Sequence, residues 1–215
     1  MQWTQRDLRA LRWIGEQYAI RLDQLAMLLA RWQAGPTQTP GRLAAETVRK
    51  LVQRWKRAGL VDSGQLVRGE PGWVWLTRLG LEHLELDYRL WEPKAQSLPH
   101  LYVINQARLW VEQRQPEACW RSERQLRSEH PFVGHQGHQE HRPDAEVLIG
   151  SQAVAIEAER QVKAALRLPT IFYELARSYD AIWYFCPTPL LEPMRRAFAQ
   201  LDPPTRQKFS LVELP

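Results

Sequence analysis

Cysteine is nearly absent from this 215-residue sequence. Its only two, Cys119 and Cys186, sit in separate apolar stretches, EACWRS and IWYFCP, which suits buried reduced thiols rather than a disulfide framework or a zinc site. Long apolar runs are missing too. No stretch reaches the roughly 18 residues of a membrane helix, and the opening MQWTQRDLRA lacks the apolar core of a signal peptide, so a globular cytoplasmic protein with no membrane partner is expected. The third shortage is local. Residues 1–90 carry 14 Lys and Arg against only 9 Asp and Glu, whereas residues 91–215 carry 15 of each. A basic module joined to a neutral one points to nucleic acid as the partner of the first and a different task for the second.

Thr4 is placed to cap a first helix running to about Gln17, with Leu8, Leu11 and Ile14 inward. Leu22, Leu25, Leu28 and Leu29 recur at helical spacing and predict a second helix from Leu22 to Trp32. GPTQTPG at 35–41 breaks the pattern and reads as a loop. A third helix from Leu43 or Ala44 to Ala58 closes on Gly59, with Val48, Leu51, Val52 and Trp55 as its buried stripe. Between Arg42 and Ala58 six basic residues face one acid, Glu46. Short strands LVDSG and GWVWLT around the turn GEPG follow, then a short helix from Arg78 to about Leu86. Three helices and a two-stranded hairpin make the winged-helix form of the helix-turn-helix, whose third helix enters the major groove of double-stranded DNA. The expected DNA contacts are Arg42, Thr47, Arg49, Lys50, Gln53, Arg54, Lys56 and Arg57, with Arg68 on the hairpin. Phosphate contacts among them would make affinity fall steeply with salt. The plainer alternative is a solvated helix face in a domain that binds another protein. Trp73 and Trp75 are expected to anchor the hairpin on the helices rather than stack on bases.

Residues 89–99, with Pro93 and Pro99, read as a linker between a domain at 1–88 and one at 100–215. The second part reads as a helix to about Arg114, a strand near Ala118 to Arg121, a hairpin, a helix from Ala164 to Tyr179, a strand at 180–187, a helix through Arg195 to Leu201, and the strand FSLVEL. That order is an α/β sandwich around a mixed sheet, so the whole chain is expected to be α+β. The chemistry sits in the hairpin, His141 to Lys163. Gly150-Ser151 separates two apolar runs and forms a two-residue turn, which sets Ile149 against Gln152 and Asp144 against Glu157. Side chains so placed have Cβ atoms about 4.5–5.5 Å apart. A period of two adds Glu146 and Glu159 to the same face. Four carboxylates together need a divalent metal or an arginine.

The element order and the Pro143-Asp144 step resemble the core of the PD-(D/E)xK nuclease superfamily. That resemblance implies metal carboxylates at Asp144 and Glu157 with Mg²⁺ as cofactor, Glu159 where the family usually keeps a lysine, and Lys163 or Arg160 as the positive charge. Over nearly its whole length the chain also resembles the replication-relaxation proteins of plasmids and integrative elements. The phrases carrying this are TVRKLVQRWKRAGLVDSG with WVWLTRLGLEHL, PHLYVINQARLWVE at 99–112, WRSERQLR at 120–127, HRPDAEVLI at 141–149, VAIEAERQVK at 154–163 and YDAIWYFCP at 179–187. This resemblance implies a DNA-binding winged helix joined to a degenerate nuclease-like domain, acting in plasmid replication, relaxation or transfer or in its transcriptional control. The second domain would then serve homodimerisation, partner contact or further DNA contact.

Two expectations stand for the hairpin. One is a Mg²⁺-dependent DNA endonuclease using Asp144, Glu157 and Glu159. The other is an inherited fold whose carboxylates pair with Arg142, Arg160 or Arg167 and hold no metal. His130, His135, His138 and His141 cluster without cysteine or zinc-site spacing, so a solvated loop beside the carboxylates is expected, His141 lying nearest to Asp144. Glu123 is expected to pair with Arg127 one helical turn on.

Overall fold

The computed structural model describes residues 2–33, 41–129, 141–160 and 168–214. They form two compact units, Met1–Asn105 and Gln106–Pro215, and the chain is α+β with a mixed sheet. Among the described residues no helix is long and apolar enough to cross a membrane.

In the first unit, α1 (Gln5–Glu16) starts at a reciprocal cap in which Thr4 accepts from the Asp7 N–H and Asp7 accepts from the Thr4 N–H. Leu11, Trp13 and Ile14 are buried. Tyr18, at φ +69°, turns the chain directly into β1 (Ala19–Arg21) and packs its ring on Trp91 at 5.6 Å. The helix α2 (Leu22–Gln33) follows without a gap, then α3 (Ala45–Arg57), β2 (Val61–Gly64), β3 (Trp73–Leu76) and α4 (Arg78–His83). The hairpin expected to have two strands is thus part of a three-stranded antiparallel sheet in the order β1-β3-β2, with Trp75 opposite both Ala19 and Asp62. Of the two tryptophans expected to anchor the hairpin, Trp73 is buried in the central strand and Trp75 is half-buried. Gly59 takes φ +73° after α3, and Thr77 caps α4 while its hydroxyl donates to the Gly59 carbonyl at 2.5 Å.

The units divide inside α5 (Leu98–Arg114), later than the linker expected at 89–99. The reason is a buried amide pair. Asn105 donates to the Ala19 carbonyl at 2.9 Å, and Gln24 donates to the Tyr102 carbonyl at 2.9 Å, so the first turns of α5 stay with the first unit.

The second unit adds β4 (Cys119–Ser122), α6 (Glu123–Glu129), β5 (Ala145–Ile149), β6 (Gln152–Ala158), α7 (Leu168–Ser178), β7 (Ala181–Pro187), α8 (Thr188–Ala199), the unexpected short α9 (Pro203–Gln207), and β8 (Phe209–Leu214). The sheet runs β4-β5-β6-β7-β8, antiparallel up to β6 and parallel beyond it. Alternation along β7 divides its two faces. Ile182 and Tyr184 join Phe172, Met194 and Phe198 under α7 and α8, while Trp183 and Phe185 meet Trp110 of α5 at 6.0 and 5.4 Å.

Candidate functional site

The third helix has a sharply divided surface. Val48, Leu51, Val52 and Trp55 are buried, whereas Thr47, Arg49, Lys50, Gln53, Lys56 and Arg57 are exposed. Arg49 and Lys50 share Glu46 at 3.9 and 3.6 Å, and both side chains remain largely in solvent. Exposed pairs of this kind contribute about 0–1 kcal/mol. Arg42 and Arg68 are also exposed, Arg42 reaching the Met27 sulfur at 3.8 Å.

Two of the expected DNA contacts have other partners. Lys56 bonds Asp62 at 2.6 Å and the Ser63 carbonyl at 3.4 Å, tying α3 to β2. Arg54 donates to Asp7 at 2.5 Å, and the buried indole of Trp55 donates to the same oxygen at 3.2 Å. Asp7 is 1% exposed. Burial works to raise its carboxyl, but hydrogen bonds from Thr4, the charge of Arg54 and the bond from Trp55 outweigh that and hold it below the usual carboxylate value. Asp7 is the residue that sequence reasoning missed. The signal was an acid at the third helical position after Thr4.

In the second unit the hairpin turns at Gly150, whose φ of +60° is the conformation a tight turn with Gly first requires. Ile149 pairs with Gln152 and Ala145 with Ile156, so one further step outward sets Asp144 against Glu157. The acids are there, but each has its own internal partner. Asp144 accepts the Ala158 N–H at 2.8 Å, capping the ladder where β5 begins and β6 ends. Glu146 pairs with Arg121, its cross-strand neighbour, which also holds Glu129. Glu159 accepts the Arg160 N–H at 3.1 Å. Glu157, 2% exposed, lies 2.7 Å from His141 Nε2, and a carboxylate acceptor requires the imidazole proton on that nitrogen. The His141 N–H in turn donates to Glu174 at 3.0 Å.

Tyrosines line the same region. Burial, then the adjacent charge of Glu146, pushes the Tyr179 phenol up to about 12. Burial and the charge of Glu157 likewise raise the Tyr184 phenol. Comparison of the chain with protein-family models, curated proteins and solved structures finds no match. Among the described residues, no three His, Cys, Asp or Glu side chains come together as a group that could hold a metal ion. Each of the four acids expected to need a divalent metal or an arginine has a partner in the fold: Glu146 meets Arg121, Glu157 meets His141, and Asp144 and Glu159 accept backbone N–H groups. Glu123 pairs with Arg127 at 2.6 Å, as its spacing suggests. Lys163, Arg167, His130, His135 and His138 lie outside the described residues.

Proposed function

We propose that this chain is a double-stranded-DNA-binding protein of the replication-relaxation kind, its first unit a winged helix and its second a PD-(D/E)xK-like domain without nuclease activity. The observation that carries the reading is the exposed face of α3. Four hydrophobic side chains bury one side of that helix, and Thr47, Arg49, Lys50, Gln53 and Arg57 stand in solvent on the other. The β2–β3 hairpin beside it supports the winged-helix assignment, with Arg68 exposed in the turn between its strands. Arg54 and Lys56 drop out of the DNA-facing set because Asp7 and Asp62 hold them. In the second unit, Asp144 and Glu157 serve as fold-holding carboxylates, one for a strand end and one for His141. A role in plasmid replication, relaxation, transfer or their transcriptional control follows from the resemblance of the sequence phrases.

The test is fluorescence anisotropy on a labelled duplex across a salt series. Replacing Arg49, Lys50 and Arg57 together by Gln should weaken binding and reduce the slope of log affinity against log salt by about 0.9 for each phosphate no longer neutralised. An unchanged affinity and slope would remove α3 from the interface. Arg54→Gln alone should leave the slope as it is.

A further inference from the structure

A groove of about 710 Å³ runs between α2, the first half of α3 and the β2–β3 hairpin. This is within the size range of small-molecule sites. Its floor is apolar, made by Leu22, Ala26, Val48, Val52 and Trp73. Charge at the rim is unevenly compensated. The acids that line it, Asp23 and Glu70, are both engaged by Arg21, at 2.7 and 3.5 Å. The lining cations are less well met: Arg42 reaches the Met27 sulfur, which carries no charge, and Arg49 shares the exposed Glu46 with Lys50. An apolar floor under two arginines favours a ligand with an apolar body and a negative head.

We infer that this groove binds a small amphipathic anion, an aromatic or short aliphatic carboxylate, with its body on the Val48–Val52–Trp73 floor and its carboxylate against Arg42 and Arg49. The chemistry of the groove does not rest on the proposed DNA binding. Because Arg49 and Gln53 both line the groove and belong to the α3 face proposed for DNA, an occupied groove and a bound duplex compete.

The probe is naphthalene-2-carboxylate, titrated calorimetrically into the full chain beside 2-naphthalenemethanol and inorganic phosphate. The carboxylate should bind at least tenfold more tightly than the alcohol, and phosphate should bind more weakly than either. Arg42→Gln with Arg49→Gln should bring carboxylate and alcohol to the same affinity. Ala45→Phe, at an exposed position lining the groove, should abolish binding of both. If that variant melts at a lower temperature than the parent, Gln53→Trp makes the same test from the other exposed side. Equal affinity for carboxylate and alcohol in the parent chain overturns the inference. So does phosphate binding as tightly as the carboxylate, undiminished binding in a folded groove-filling variant, or no binding at all. A duplex titration alongside separates the two proposals: carboxylate binding without duplex binding leaves the groove and removes the proposed function, and the reverse result does the opposite.

Discussion

Asp7 is the position where a single substitution should be most informative. Its carboxylate accepts from the Thr4 N–H at 3.1 Å, the Thr4 hydroxyl at 2.8 Å, Arg54 at 2.5 Å and Trp55 at 3.2 Å. In Asp7→Ala the Trp55 N–H, on a fully buried side chain, loses its acceptor, at a cost of about 1–3 kcal/mol. Loss of the Asp7 half of the reciprocal cap of α1, with the Thr4 hydroxyl still accepting from the N–H of residue 7, adds about 0.5 kcal/mol. Arg54 adds less, because its side chain is 43% exposed and water takes over part of the work. The total is about 3 kcal/mol, which for a urea dependence of about 1–3 kcal/mol per molar moves the unfolding midpoint down by roughly 1–3 M. Tryptophan fluorescence through a urea series measures it. The pH dependence has a definite sign. Because the folded carboxyl titrates below its ordinary value, its contribution is fully present above the unfolded value of about 3.9 and disappears as pH falls through the lower folded one. The gap between parent and Asp7→Ala should therefore narrow below about pH 4. A variant that unfolds within about 0.5 kcal/mol of the parent at pH 7, the range of an ordinary surface change, would refute the account.

Gly80→Ala sets a new Cβ 2.0 Å from the Leu60 carbonyl oxygen, so backbone must move and a loss of about 3 kcal/mol is expected. Tyr179→Phe should flatten the alkaline loss of stability. The parent's phenol, pushed up to about 12, contributes stability that is complete below the unfolded value of about 10 and is lost as pH rises through the folded one. Ultraviolet titration of phenolate in parent and variant checks this. Supercoiled plasmid incubated with Mg²⁺ or Mn²⁺ should stay intact with the parent and with Asp144→Ala, Glu157→Ala alike; cutting by the parent alone would restore the endonuclease.

The hairpin register was legible because a Gly-Ser step between two apolar runs leaves one way to pair them, and Asp144 opposite Glu157 follows by counting. The buried stripe of α3 was legible for the same kind of reason, a period that only one helix face satisfies. What escaped depended on long-range pairing. The strand β1 is three residues long and is reached through Tyr18, a residue that does not announce a turn. Arg121 neutralises Glu146 only because β4 pairs with β5 in one register, and no local pattern records that pairing. His141 meets Glu157 across the hairpin, and Asp7 meets Arg54 and Trp55 from more than forty positions away. Charge counts located the basic helix but could not say which of its cations were already occupied.

The strand order of the second unit also bears on how it is made. Each of β5 to β8 lies beside the strand that precedes it in the chain, so none has to be inserted between two already paired. During synthesis the sheet can grow outward from the tight hairpin, taking β4 on the β5 side and then β7 and β8 across two helical crossovers on the β6 side. Pairings of short sequence separation form fastest, which makes the β5–β6 hairpin the natural seed and leaves β8, carried by α8 and α9, as the last piece to dock. Weakening the Gly150 turn would then slow folding more than it speeds unfolding, and trimming β8 would do the reverse.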